Sequence, residues 1–216
     1  MLIDKFISSI KDKVDFKSIQ VIVDIGSRDL EQSVELHSVF PKAKIYAFEP
    51  NPESYQKCLE KAPEYIKVYP WALLDYDGET SFYSVSQETN HGASSVFEPT
   101  EFVVGVDAVN GLKKIKVPCR RLDSWAKENS ISKIDLAWVD VQGSELPTFR
   151  GFGKYLDKVQ AIATESATGL LYFANKQYEP TNYNQLKEFF EGRGFKQVDY
   201  DQPWELECDT VWVKLT

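Results

Sequence analysis

Between residues 19 and 72, short apolar runs alternate with amphipathic stretches, and this alternation limits the possible folds more than any other feature. IQVIVD (19–24), KIYAFE (44–49) and IKVYPWA (66–72) are rich in branched and aromatic residues and read as strands buried on both faces. Residues 30–40, stopped by Pro41, and 52–62, with Tyr55, Cys58, Leu59 and Ala62 in one stripe, read as helices. Buried strands joined through helices predict a parallel sheet covered on both faces. Ahead of them Ile3, Ile7, Ile10 and Val14 recur at helical spacing within an N-terminal segment, 1–18.

The alternation breaks after residue 77, where the first half, 19–77, ends. Residues 78–85 and 115–120 predict extra strands in an inserted β segment, 78–121. Between them, 86–111 is polar and aperiodic, and a stretch of that length in a compact fold is usually functional. It is expected to be a mobile lid over an acceptor. The pattern resumes over 122–216 with a helix at 122–129, a strand at 135–140 (DLAWVD), a helix at 145–156 and a strand at 159–165 (VQAIATE). A helix at 182–193 and strands at 195–200 and 210–215 complete it. The short 201–209 connection makes that last pair antiparallel. The expected architecture is α/β, Rossmann-like, with a seven-stranded mixed sheet in one domain, 1–216.

Composition narrows the partners. Thirty-three acidic against 25 basic residues leave a net charge of −8, which repels phosphate backbones, so nucleic acid is not expected as a partner. No apolar run reaches the roughly 18 residues of a bilayer span, and no secretory layout precedes the first helix. No membrane association is expected and the cytoplasm is the expected location. Cys58, Cys119 and Cys208 are too widely spaced for a metal finger and read as buried free thiols. His37 and His91 are the only histidines, too few for a His-rich zinc site.

Four strands end in carboxylates: Asp24 and Glu49, then Asp140 and Glu165, each pair 25 residues apart. Ligands of doubly wound sheets bind at these carboxyl ends. The first turn, Asp24-Ile25-Gly26-Ser27-Arg28-Asp29, has one glycine instead of the G-x-G-x-x-G that closes on a pyrophosphate, and two carboxylates that repel one. A cationic cofactor with an amino-acid end and a ribose fits better, with Glu49 placed for the ribose diol. Alternatively the pair caps helices or faces solvent.

VIVDIGSRD, YAFEPNP and WALLDYDG, followed by HGASSVF, PCRRLDSW and IDLAWVDVQGSEL, resemble the FkbM-type branch of class I S-adenosylmethionine-dependent methyltransferases from about residue 20 to about 195. The resemblance implies that fold, S-adenosylmethionine as cofactor, and methylation of a hydroxyl on a sugar, glycan or other small metabolite. It places Asp24, Gly26 and the adjoining Ser27 under the methionine part. Glu49, Pro50 and Asn51 fall at the ribose, Trp71 and Ala72 beside the adenine, and Asp140 near the ammonium or the reacting centre. Where many relatives carry a second glycine, this chain has Arg28-Asp29-Leu30.

A hydroxyl acceptor needs a base, and the candidates are Asp140, Glu145 and His91. Glu145 equally reads as a first-turn glutamate facing a helix dipole, and His91 as a solvent-facing loop residue. Nothing in the resemblance requires a metal, although Asp140 and Glu165 could hold Mg²⁺ through oxygens. Lys113, Lys114, Lys116, Arg120 and Arg121 form the one dense basic cluster, read as a solvated face or as a dock for an anionic acceptor. Tyr172, Phe173 and Tyr178 either wall the acceptor pocket or pack beneath a loop. The rival functions are a non-catalytic binding module of the same fold and a nicotinamide-dependent oxidoreductase.

Overall fold

The computed structural model describes residues 1–85, 91–104 and 112–215, without the side chains of His91, Phe102 and Val104. Its main sheet has seven strands: β1 (Val21–Ile25), β2 (Lys44–Phe48), β3 (Ile66–Tyr69), β8 (Leu136–Val139), β9 (Ala161–Ala167), β11 (Phe195–Trp204) and β12 (Glu207–Lys214). They run in the order β11-β12-β9-β8-β1-β2-β3. The five strands from β9 to β3 are parallel, and β12 is antiparallel to both β9 and β11. The chain winds outward from β1 to β3 and then re-enters on the other side of β1 as β8. The strand order therefore reverses between β1 and β8, where a doubly wound sheet opens a crevice.

Helices cover both faces. α1 (Ile3–Ile10), α2 (Glu31–Val39) and α3 (Pro52–Lys61) lie on one side, where Phe6, Ile10, Leu36 and Cys58 pack with Ile22, Ile45 and Trp138. α5 (Leu122–Glu128), α6 (Glu145–Gly151) and α7 (Tyr183–Glu191) lie on the other. There Trp125, Phe149, Leu186 and Phe190 pack with Val23, Phe48 and Trp212. α3 begins where it does because the Asn51 side chain accepts the Glu53 N–H and Pro52, with no N–H to lose, sits at the first position. A reciprocal Asn182–Gln185 box opens α7.

Some boundaries differ from expectation. The strand foreseen at 66–72 is broken by Pro70, which cannot donate to a ladder. β3 stops at Tyr69, and Ala72–Leu73 (β4) joins a separate small sheet with β5 (Gly78–Ser84) and β7 (Lys113–Arg120), in the order β4-β7-β5. The inserted β segment thus recruits residues ahead of 78. The helix foreseen at 145–156 ends at Gly151, whose missing Cβ would lie 2.1 Å from the Leu74 carbonyl oxygen, and a 3₁₀ segment, Gly153–Lys158, follows. β11 runs on to Trp204, so the terminal hairpin turns at 205–206 rather than through 201–209.

The expected lid, 86–111, is partly structured. A 3₁₀ turn (His91–Ala93), β6 (Glu98–Pro99) and α4 (Glu101–Val104) lie in it, and β6 pairs with β10 (Tyr172–Phe173). Ser95 bridges to Tyr83 by two backbone hydrogen bonds, and Phe97 is fully buried. The remaining parts, 86–90 and 105–111, lie outside the described residues. Among the described residues the three cysteines are free and buried, and no helix is long and apolar enough to cross a membrane.

Candidate functional site

A cleft opens at the carboxyl ends of β1, β2 and β8. Its floor is the turn after β1. The Gly26 and Ser27 amides donate to the Phe48 carbonyl at 2.9 and 3.2 Å, and the Asp140 amide donates to the Ile25 carbonyl at 2.9 Å. Gly26 has φ +84°, and a Cβ on it would lie 1.8 Å from the Asp140 carbonyl oxygen. Glycine is therefore demanded twice, by backbone conformation and by contact with the end of β8. Arg28 and Leu30 also adopt positive φ, 48° and 69°. The chain takes without a second glycine the left-handed path that glycine makes cheap, and Leu30 is held there by a side chain 2 % exposed in the core.

Glu49 stands at the exit of β2 with both oxygens held: Oε2 accepts the Arg28 amide at 2.8 Å and Oε1 the Asn51 amide at 2.7 Å. Burial pushes its carboxyl up to about 7, against the two amides that favour the charged form. Asp24 lies beneath the turn, fully buried and off the cleft wall. Its Oδ2 accepts the Ser33 hydroxyl at 2.5 Å, its Oδ1 has no partner among the described residues, and burial raises it to about 7. The buried Ser27 hydroxyl has no close partner among the described residues either. Trp71, stacked on Tyr69 at 4.9 Å, lines one wall with Ala72, Pro50 and Phe82. Asn51 is elsewhere. It caps α3 and donates to the Ser84 and Ser94 hydroxyls, pinning the inserted segment instead of facing the cleft.

On the opposite wall Asp140 is partly exposed and raised by burial. Gln142 Nε2 donates to Asp140 Oδ1 at 2.7 Å and to Glu165 Oε1 at 2.8 Å. The two carboxylates once considered for Mg²⁺ are thus joined by an amide. Glu145 is 1 % exposed and does not line the cleft. Its Oε1 accepts the Gly143 amide at 2.9 Å, Oε2 has no partner among the described residues, and burial raises it to about 8. That is a carboxylate holding its own turn, which corrects its placement as a base at the reacting centre. The His91 side chain lies outside the described residues.

The other expectations divide. Tyr172 is buried with its hydroxyl on Gln142, Phe173 is 51 % exposed, and the Tyr178 hydroxyl bonds Asp75; none lines the cleft. Arg120 pairs with Asp77 and Glu128, and Arg121 with Asp123, so the two arginines of the basic cluster are neutralised within the protein. Lys113, Lys114 and Lys116 lie exposed on β7, away from the cleft. Gln142, Ser94 and Arg28, which do line it, sit inside the stretches that carry the family resemblance, but no argument from residue type singles them out there. Gln142 gives itself away only by a φ of +54°.

Residues 20–196 match the methyltransferase FkbM domain. The chain belongs to the FkbM methyltransferase family. Within it, the chain is 30 % identical over 158 residues to the 2-O-methyltransferase NoeI of Sinorhizobium fredii, a match covering 70 % of this chain and 65 % of that protein. It is 26 % identical over 186 residues to the hexuronic acid methyltransferase AglP of Haloferax volcanii, covering 80 % of this chain and 70 % of that one. The chain thus spans just under two thirds of the length of the first of these relatives. Among solved structures, a fibrillarin/Nop5p complex superposes with a TM-score of 0.53 at 11 % identity, over 98 % of this chain and 81 % of that one. That likeness, like the seven-stranded sheet, is one of fold. The FkbM motif DVQGSE occupies 140–145, the turn that carries Asp140, Gln142 and Glu145.

Proposed function

We propose that this FkbM protein transfers the methyl group of S-adenosylmethionine to a hydroxyl of a sugar or glycan. The observation that carries the reading is Glu49. A carboxylate fixed by two backbone amides at the end of β2, on the wall of a cleft at the strand-order reversal, is built to accept a ribose diol. The site suits the rest of the cofactor too. The buried Asp24 Oδ1 and Ser27 Oγ, without close partners among the described residues, lie under the turn where an ammonium-bearing amino-acid end would sit. The partly exposed Trp71, with Ala72 and Pro50, offers an apolar wall for a base. A pyrophosphate would meet Glu49 and Asp140 instead of a run of glycine amides, which disfavours a nicotinamide. The two curated relatives, both methyltransferases and one named for hexuronic acid, support a sugar acceptor.

Bound S-adenosylmethionine supplies an electrophilic methyl on a sulfonium. The protein's part is then alignment and proton removal, since displacement at carbon is accelerated chiefly by holding the acceptor oxygen in line. Asp140 lines the cleft with one oxygen bonded to Gln142 and is placed to take the hydroxyl proton. Phe82, Ser94 and Val96 of the inserted segment close the cleft from above and limit water.

Calorimetry with S-adenosylhomocysteine and with NAD⁺ tests the cofactor, and the release of S-adenosylhomocysteine in the presence of methyl glycosides of hexoses and hexuronic acids tests the acceptor. We expect binding of S-adenosylhomocysteine alone and turnover with at least one glycoside. Binding of NAD⁺ in preference to S-adenosylhomocysteine would overturn the reading.

A further inference from the structure

The ends of β8, β9 and β10 carry a chain of hydrogen bonds that methyl transfer as set out above does not use. Gln142 is its centre. Both N–H groups of its side chain are spent on carboxylates, one on Asp140 and one on Glu165, and its Oε1 accepts the Tyr172 hydroxyl. Flipping the amide would set its oxygen against two carboxylates and its N–H groups against a hydroxyl, so the arrangement has one orientation. Tyr172 is 2 % exposed, and burial holds its hydroxyl protonated, hence a donor. The backbone is clamped as well. The Gln142 carbonyl accepts the Ser95 hydroxyl at 2.6 Å, the Gly143 amide donates to Glu145, and the Gly143 carbonyl accepts the Thr181 amide at 2.7 Å. A non-glycine residue kept at φ +54° by this many partners is held for a purpose.

We propose that Glu165 and Tyr172 are positioning residues for the transfer, acting on Asp140 through the side-chain amide of Gln142. The proposal rests on Asp140 being the base. The amide ties Asp140 Oδ1 and leaves the other oxygen, which has no protein donor among the described residues, for the acceptor hydroxyl. Tyr172 fixes which way the amide faces. Glu165, raised well above the usual carboxylate range by burial and by the Asp140 charge, accepts the second N–H of the same amide and so keeps the amide on Asp140. Other titratable or charged groups face the pair: Asp24 from β1, Arg28 and Glu49 from the turns after β1 and β2, Glu145 from α6, Glu207 and Asp209 from β12, and the N-terminal ammonium. Glu165 is singled out because it alone shares a donor group with Asp140. In the step itself the acceptor's O–H proton passes to Asp140 as its oxygen bonds the methyl carbon. The carbon–sulfur bond gives its electron pair to sulfur, cancelling the sulfonium charge.

The test follows the Asp140 carboxyl by ¹³C NMR in the S-adenosylhomocysteine complex, with the resonance assigned by its loss in Asp140→Asn. Glu165→Leu, which takes away the acceptor that anchors the amide, should raise its titration midpoint by about one pH unit. Tyr172→Phe should shift the Gln142 side-chain amide resonances and lower kcat about ten-fold toward a methyl glycoside, with cofactor affinity unchanged. Gln142→Leu, which removes the donor to Asp140 and leaves the buried ring of Tyr172 in place, should raise the Asp140 midpoint and lower kcat to a similar extent if Tyr172→Phe fails to fold. An Asp140 titration unmoved in both Glu165→Leu and Gln142→Leu overturns the inference and leaves the proposed function intact. Wild-type turnover in Asp140→Asn overturns the base assignment itself, and the positioning role with it.

Discussion

The two strand-end carboxylates of the cleft are anchored in opposite ways. Glu49, on the proposed cofactor side, is held by two backbone amides, those of Arg28 and Asn51. Asp140, on the proposed acceptor side, is held by a side-chain amide that depends in turn on Glu165 and Tyr172. Backbone donors neither titrate nor change with the residue that bears them, so the cofactor grip is set by the turn's path. Side-chain donors can be altered one at a time, which suits a region that must differ between acceptors. A single cofactor with many acceptors is the division such a cleft would serve.

The sharpest way to separate the two sides is Asp140→Asn, which keeps the shape and removes the charge. Turnover with a responsive methyl glycoside should fall by roughly 10²–10⁴-fold, while S-adenosylhomocysteine affinity changes by less than about three-fold. Weakened binding with saturated turnover preserved would instead move Asp140 to the cofactor side and erase the contrast.

Gly26→Ala attacks the seam where the two sides touch. The new methyl would sit 1.8 Å from the Asp140 carbonyl oxygen at a φ of +84°. The loss of stability should be roughly 3–4 kcal/mol, as befits strain at a special backbone position. Urea unfolding reads it, and calorimetry should show cofactor binding lost in whatever remains folded. A wild-type midpoint would mean the turn can move away from β8.

How much of this was legible beforehand follows from where each contact comes from. The seven-stranded sheet was readable because buried parallel strands leave continuous apolar runs, and Asp24, Glu49, Asp140 and Glu165 were found as the polar residues that end them. The break after Tyr69 was also written there, in Pro70. The role of Asn51 was read too far. A residue before Pro52 caps a helix, and the cap left its amide for Ser84 and Ser94 rather than for a ligand. Gln142, by contrast, lies within the DVQGSEL stretch, but nothing in its residue type or spacing marks its role. Its importance arises because β8, β9 and β10 bring Asp140, Glu165 and Tyr172 around one amide from positions up to 32 residues apart in sequence, and no local period encodes such convergence. The left-handed Arg28 and Leu30 were hidden for a similar reason: propensity argues for glycine, and the burial of Leu30 prevails.

Glu49→Ala probes the backbone-held side alone. It removes a charge-assisted contact worth roughly 1.5–3 kcal/mol, so S-adenosylhomocysteine should bind about ten-fold or more weakly. The Arg28 and Asn51 amides are left without their acceptor, so the free protein should also lose some stability. Unchanged affinity in the calorimeter would end the ribose assignment.

The smallest effect concerns what the buried carboxylates do to the free protein as pH changes. Asp24 and Glu49 are raised to about 7 and Glu145 to about 8, each chiefly by burial. A carboxyl raised on folding binds its proton more tightly in the native state than in the unfolded chain. Its contribution is thus fully present below its unfolded value near 4.5 and is lost as pH rises through the folded value. Stability without ligand should therefore decline between about pH 4.5 and about pH 8. Glu145 isolates the acceptor side of this slope, since it is buried, off the cleft wall and, among the described residues, bonded through one oxygen only. Glu145→Gln keeps an acceptor for the Gly143 amide and can never be charged. Its Tm should match wild type near pH 4.5 and exceed it by several degrees at pH 8, each kcal/mol being worth about 2–4 °C in a chain of this size. Scanning calorimetry across that range reads the difference directly. A Tm difference that stays constant with pH would show that Glu145 titrates alike in both states, and the decline would then belong to the carboxylates on the cofactor side, Asp24 and Glu49.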